Sequence, residues 1–266
     1  MIASQTTEEG RVFDDLAGKV AVVSGGARGL GLSMARALAR HGVRVGLVDL
    51  LEEVETSAAR LADELGVDAV GLRADVTSVG SVAAAFARVT EVLGSPSLLI
   101  NAAGVTVWED SLDVGPESWR RVIDINLTGT FLCCQALGRA CRDGGHPGAI
   151  VNVSSMSGRV VNVPQHQTSY NASKAAVDQL TRSLAVEWAE LGVRVNAVAP
   201  GYFLSDMTRQ FTEANPELAE RWRGMIPLGR MGEPQDLDGL VVLLCSDASS
   251  YLTGQSIVID GAYTAV

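Results

Sequence analysis

The chain has 266 residues, enough for one large domain or two small ones at about 150 residues per domain. Hydrophobic residues at 47% and charged residues at 20% exclude a disordered chain, and 28 glycines without a three-residue period exclude collagen. A net charge of −10 argues against nucleic acid or an anionic membrane as partner, and points to a small anion held locally.

Met1 to Gly10 are polar and acidic, with Glu8 and Glu9, and do not read as a secretory signal. Val20 to Val23 predict the first strand, and Leu32 to Arg40 the first helix. Val43 to Val48 predict a strand, Leu51 to Leu65 a helix, and Ala69 to Leu72 and Leu98 to Ile100 further strands. A helix over Pro116 to Cys141 precedes a strand at Ile150 to Val153, and a helix over Ser169 to Leu191 precedes one at Val193 to Val198. Ser256 to Ile259 closes the series. Strands without polar alternation, separated by helices, indicate βαβ units in a parallel sheet covered on both faces.

No linker, repeat or charge run divides the chain, so residues 16–266 are expected to form one doubly wound α/β domain of about seven parallel strands, preceded by an extension over residues 1–15. Residues 200–230, with Pro216 and Pro227, are the least regular. They follow a strand's carboxyl end, where open sheets bind ligands, and are expected to form a substrate lid. No apolar run approaches the roughly 18 residues of a membrane span. Cys133, Cys134, Cys141 and Cys245 form no CxxC pair, and His41, His146 and His166 fit no metal spacing. Core packing of the thiols, no metal, and a reducing cytoplasmic location are expected.

Ser24-Gly25-Gly26-Ala27-Arg28-Gly29-Leu30-Gly31 joins the first strand to the first helix. Such glycines either let the backbone approach a pyrophosphate at a helix N-terminus or serve tight strand–helix packing. Asp49 ends the second strand 18 residues beyond Gly31, placed to accept both ribose hydroxyls of an adenosine and to repel a 2′-phosphate. An Asp there also suits a strand terminator or a helix cap. Arg28 is a possible partner for a 2′-phosphate, but an Arg can turn away where a carboxylate's repulsion persists, so NAD is favoured over NADP. Asp75-Val76 and Asn101-Ala102-Ala103-Gly104 add polar positions at the next two strand ends. Tyr170 and Lys174, four apart on a helix, share a face, so the ammonium can lower the phenol's pKa from about 10. Ser154-Ser155 offer hydroxyls at the same sheet edge, and Asn126 is a poor helix former inside a predicted helix.

Together Gly25, Gly29, Gly31, Asp49, Asp75, Asn101-Ala102-Ala103-Gly104, Asn126, Ser155, Tyr170-x-x-x-Lys174 and Pro200-Gly201 resemble the short-chain dehydrogenase/reductase family over residues 16–263. The resemblance implies that Tyr170 is the acid/base and that Lys174 tunes it and binds the nicotinamide ribose. It implies that Ser155 holds the substrate oxygen, that Asn126 supports a relay water, and that, just past Pro200 in the cofactor site, the backbone amide and hydroxyl at Phe203 and Ser205 hold the carboxamide. With Arg28, Leu30, Val76, Ala102 and Gly104 these make the expected NAD site. Ser24 stands where the family usually has Thr, and Ala102 where Asn is common. The 15-residue gap from Ser155 to Tyr170 and the run Ser155-Met156-Ser157-Gly158…Asn162-Val163-Pro164-Gln165 are similar to NAD-dependent polyol dehydrogenases. Ser157, Asn162, Gln165 and His166 would then serve a many-hydroxyl substrate, unless that loop is bonded only to itself.

The expected activity is reversible oxidation of a small polyol to a ketose. The alternatives are an NADPH-dependent carbonyl or 3-oxoacyl-thioester reductase and a non-catalytic nucleotide sensor or scaffold on the same fold. The resemblance further implies a homotetramer, with helices 116–141 and 169–191 packing across two-fold axes. Leu180, Leu184 and Trp188 suit either such an interface or the core.

Overall fold

Alternate residues of each inner strand are buried in different layers of the core. Ala21 and Val23 join one apolar cluster and Val20 and Val22 another; Leu98 and Ile100 part from Leu99 in the same way. Side chains alternate across a strand, so a strand apolar at every position needs cover on both faces. The computed structural model, which describes residues 13–266, shows that cover.

Seven strands, β1 (Val20–Ser24), β2 (Arg44–Asp49), β3 (Ala69–Arg73), β4 (Leu98–Asn101), β5 (Gly148–Val153), β6 (Val193–Pro200) and β7 (Ser256–Ile259), form one parallel sheet in the order β3-β2-β1-β4-β5-β6-β7. On one face lie α1 (Gly29–Ala39), α2 (Glu53–Leu65) and α9 (Asp238–Cys245), contributing Met34, Leu38, Val54, Leu61 and Val241. On the other lie α3 (Val79–Leu93), α5 (Thr130–Gly144) and α6 (Thr168–Glu187), contributing Phe86, Val89, Leu137 and Leu184. Strand order reverses between β1 and β4, and at their carboxyl ends such a sheet opens a crevice. The doubly wound seven-stranded fold expected from the sequence is the one observed.

The structure differs from the sequence reading at particular places. The helix expected over 116–141 is two, α4 (Pro116–Ile123) and α5, joined by a π-helical turn at Asp124–Gly129. The helix expected over 169–191 ends at Glu187 and continues as a 3-10 turn, Ala189–Leu191. The sequence reading names neither α3, capped by Ser78 whose hydroxyl accepts from Ser81 N at 3.3 Å, nor α9. The irregular stretch 200–230 holds two short helices, α7 (Asp206–Ala214) and α8 (Pro216–Gly224), with Pro216 opening the second.

Residues 1–12, which include the stretch read as no secretory signal and most of the extension, lie outside the described residues. Phe13 and Leu16 already pack on the domain: Phe13 meets His41 edge-on at 5.6 Å, and Leu16 is fully buried. The four cysteines are buried free thiols. Leu184 is buried in the core, and Leu180 and Trp188, partly buried, pack against it. Among the described residues no helix is long and apolar enough to cross a membrane.

Candidate active site

The glycine turn after β1 uses its glycines in two ways. A Cβ on Gly25 would lie 2.5 Å from Ala103 N, and one on Gly31 would collide with the Gly25 carbonyl, so these two allow the turn to pack against the end of β4. Gly29, at φ +61°, differs: a Cβ there would meet nothing closer than Ser205 Cβ at 3.8 Å. That open space lies before the N-terminus of α1, which no described side chain caps. Unpaired N–H groups facing an open cradle suit a pyrophosphate. Leu30 follows on the first turn and lines the adjoining cavity. Arg28 lies beside Glu53, with Nε 3.7 Å from Oε1.

Asp49, at the end of β2, is oriented toward this turn. Its Oδ2 accepts from Ala27 N at 3.1 Å and its Oδ1 from Leu51 N at 3.2 Å, so it forms a local turn and caps no helix. One acceptor site on each oxygen remains for a pair of vicinal hydroxyls. Asp75 Oδ1 accepts from Thr77 N and Oγ1, at 2.9 and 2.7 Å, while Val76 is buried against Gly129. Asn101, at the end of β4, turns its side chain inward. Its side chain, 2% exposed, accepts from Ser24 Oγ at 3.3 Å and donates to Asn152 Oδ1 at 2.9 Å, and Asn152 donates on to Thr181. The structure thus places that side chain in a buried tie between β1, β4, β5 and α6. Ala102 packs on the apolar core beneath the turn. Gly104 passes over Asn126 and Lys174: a Cβ there would lie 3.4 Å from Asn126 Oδ1 and 3.6 Å from Lys174 Nζ.

Asn126 sits in the π-helical turn, fully buried. Its Oδ1 accepts from Val105 N at 2.8 Å, and its Nδ2 donates to Val105 O at 2.9 Å and to Ser173 Oγ at 3.0 Å. Both amide protons are spent, so any water at this side chain must donate to Oδ1. The turn aims Asn126 at the loop after β4, a placement a regular helix would not give it.

Lys174 donates from Nζ to Val153 O at 2.7 Å, and Nζ stands 5.5 Å from the centre of the Tyr170 ring. Burial pushes this ammonium down to about 8, opposed by the Asp178 carboxylate one turn further on. Burial pushes the Tyr170 phenol above its ordinary value, and a hydrogen bond with the Ser155 hydroxyl opposes that rise. Ser155 Oγ also accepts from Ser157 N at 3.1 Å and reaches Pro200 O at 3.5 Å. The sequence-predicted group Asn126, Ser155, Tyr170 and Lys174 is therefore brought together at the carboxyl ends of β4, β5 and β6.

A cavity of about 430 Å³ opens beside this group. Ser155, Ser157, Asn162, Gln165, Gln167, Tyr170 and Thr106 line one side, and Trp108, Tyr202, Phe203, Phe211 and Trp222 form an aromatic wall. Among its described lining residues none is charged. Ser157 Oγ donates to Asn162 Oδ1 at 2.5 Å, and Asn162 and Gln165 both donate to the Tyr202 hydroxyl, at 3.3 and 3.1 Å.

The chain matches the family profile described as enoyl-(acyl carrier protein) reductase over residues 25–264. It is 45% identical over 251 residues to galactitol 2-dehydrogenase (L-tagatose-forming) of Cereibacter sphaeroides, covering 94% of this chain and 96% of the relative. It is 40% identical over 253 residues to an NADP-dependent mannitol dehydrogenase of Hypocrea jecorina, covering 94% and 93%. The crystal structure of a short-chain type dehydrogenase/reductase from Mycobacterium marinum matches with a TM-score of 0.89 at 39% identity, over 96% of this chain and 98% of that one. The chain belongs to the short-chain dehydrogenase/reductase family.

As a member of that family it is an oxidoreductase on a nicotinamide-dinucleotide-binding fold. His166 sits differently from the sequence reading. It faces outward, with Nδ1 3.2 Å from Asp110 Oδ2, and does not line the cavity. Ser205 caps α7, its hydroxyl accepting from Thr208 N at 3.4 Å, and also lines the cavity. Phe203, 5% exposed, packs its ring against Gly232. The sequence reading missed the aromatic wall. Trp108, Phe211 and Trp222 lie in separate elements with no shared motif, and only the turn after β6 and the fold of α7 and α8 bring them together.

Proposed function

We propose that this short-chain dehydrogenase/reductase oxidises a secondary alcohol of a small, neutral polyol to a ketose, reversibly, with NAD. The observation that carries the reading is the cavity beside Tyr170, lined by hydroxyl and amide side chains and an aromatic wall with no charged group among its described lining residues. A polyol loses many hydrogen bonds to water on entry, and neutral donors and acceptors replace them. A carboxylate or phosphate substrate would find no cation there. Two relatives are named for galactitol and mannitol, which agrees with this chemistry.

The residues present fit a dinucleotide. The cradle before Gly29 and the uncapped start of α1 take the pyrophosphate, Asp49 takes the adenosine ribose, and Lys174, Pro200, Phe203 and Ser205 flank the nicotinamide end. Bound NAD supplies the hydride acceptor and a positive charge. Ser155 and Tyr170 hold the substrate hydroxyl between them, and Tyr170, as phenolate, takes its proton. Lys174, tied to Val153 O, keeps a cation near the phenol and so favours the phenolate. Asn126, its protons spent, holds the Val105 loop and α6 in register and offers Oδ1 to a relay water. Residues 200–230 act as the substrate lid, and a homotetramer belongs to the same proposal.

The preference for NAD rests on Asp49, because a carboxylate already fixed by two N–H groups cannot turn away from a 2′-phosphate, whereas Arg28 leans toward Glu53. Asp49→Ser should lower kcat/KM with NAD by about tenfold or more, the scale of a lost charged hydrogen bond, and raise relative use of NADP. Higher wild-type kcat/KM with NADP than with NAD overturns this assignment. Substrate class is tested by initial rates with NAD over tetritols, pentitols, hexitols and simple secondary alcohols. Polyols are expected to lead, and a panel led by acyl thioesters or monohydric alcohols overturns the reading.

A further inference from the structure

Among the described residues, three buried side-chain polar atoms have no hydrogen-bond partner: Arg44 Nε, Gln165 Oε1 and Trp222 Nε1. Such atoms are few in folded proteins because each forfeits its bond to water, so two in residues lining one cavity call for a shared cause. Arg44 begins β2, at the opposite end of the sheet. Gln165 and Trp222, 9% and 2% exposed, both line the cavity beside Tyr170.

The two side chains meet at Tyr202. Gln165 Nε2 donates to its hydroxyl at 3.1 Å, and the Trp222 indole stacks on its ring, with centroids 4.6 Å apart and planes 16° from parallel. Phe211 stacks near-parallel to the same indole, at 5.8 Å and 24°. Tyr202 and Phe211 stack on the Trp222 indole and Trp108 meets it edge-to-face at 6.1 Å and 86°, yet its N–H finds no hydrogen-bond acceptor among the described residues. The orphaned pair is thus one donor and one acceptor around a single tyrosine.

The structure assigns Trp222 Nε1–H and Gln165 Oε1 to a terminal hydroxyl of the substrate, remote from the carbon oxidised at Tyr170. A hydroxyl is both acceptor and donor, so one group completes both orphans, accepting from the indole and donating to the amide oxygen. If the Gln165 amide is turned over, its orphan becomes a second donor, and the hydroxyl's two lone pairs serve both. A methyl group satisfies neither and an ether oxygen cannot donate. The assignment rests on the polyol reading of the site and adds a point at which the enzyme measures the far end of the chain.

The test compares kcat/KM for the polyol the wild type oxidises best with that for its analogue lacking the terminal hydroxyl away from the oxidised carbon. The wild type should prefer the full polyol by at least about tenfold, the scale of a buried polar pair left unmet. Trp222→Phe keeps an aromatic ring between Tyr202 and Phe211 and removes the N–H. It should bring that preference down to a few-fold, through a raised KM for the full polyol with kcat little altered. Gln165→Met should shift the preference in the same direction, which guards against misfolding of the first variant. A Trp222→Phe enzyme that keeps the wild-type preference, or that loses activity on both substrates alike, overturns the assignment while leaving the polyol reading intact. A wild type that oxidises secondary alcohols but no polyol overturns the polyol reading itself, and the assignment with it.

Discussion

A Tyr170→Phe variant is expected to bind NAD nearly as the wild type does while kcat for alcohol oxidation falls toward the upper end of 10²- to 10⁴-fold, about 3–5 kcal/mol of barrier. The change removes one oxygen and keeps the ring below Lys174. Ser155, which loses its bond to the phenol, retains Ser157 N and Pro200 O as partners, so no buried hydroxyl is stranded. The loss is therefore chemical and not structural. No other base is at hand, since the described lining residues include no carboxylate or histidine. The pH dependence has a definite sign. Burial holds the Tyr170 phenol above its ordinary value in the chain alone, so the phenolate needed for oxidation grows as pH rises, and the protonated form needed for reduction declines. Oxidation should climb with pH and reduction should fall, and the variant should lose both dependences. A folded Tyr170→Phe enzyme keeping more than about a tenth of wild-type turnover, well outside the usual range for general acid–base catalysis, overturns the role of Tyr170.

What could be read from the sequence followed from short-range periodicity. The strands showed because a sheet covered on both faces needs apolar residues at successive positions, as in Val20 to Val23. Tyr170 and Lys174 showed because four residues along a helix is one face. Asn126 showed only as an oddity, since a polar residue in a predicted helix does not reveal a π-helical turn that aims it at Val105. His166 and Gln165 are neighbours in one polar loop, yet one faces Asp110 and the other Tyr202, a division that residue type does not reveal. Trp222 left no signal. Its indole is one more apolar position on a short helix until the fold places it against Tyr202, and its unpaired N–H is a property of that packing alone.

Removing the Asn126 side-chain amide is expected to have the largest effect on stability. Asn126→Leu keeps the branched outline of the side chain but leaves the part-buried Val105 N–H and C=O without their partners, each costing about 1–3 kcal/mol, for a total of about 2–6 kcal/mol. At about 2–4 °C per kcal/mol for a chain of this size, the melting temperature should fall by roughly 4–24 °C. Asn126→Asp keeps the size of the side chain and changes only its hydrogen bonding. An ionised carboxylate there would accept from Val105 N but face Val105 O and Ser173 Oγ, whose own proton goes to Tyr170 O at 2.7 Å. The variant folds best with its carboxyl protonated, so its pKa is raised in the folded state. The folded chain then holds more protons than the unfolded one above the ordinary carboxyl pKa of about 4, and stability must decline as pH rises from there toward the raised value. Thermal melts of Asn126→Asp should therefore lie closer to those of the wild type at pH 5 than at pH 8. Asn126→Leu should show the same deficit at both. An Asn126→Leu protein melting within about 2 °C of the wild type, less than 1 kcal/mol on that scale, would show that the π-helical turn and the loop after β4 hold without this amide.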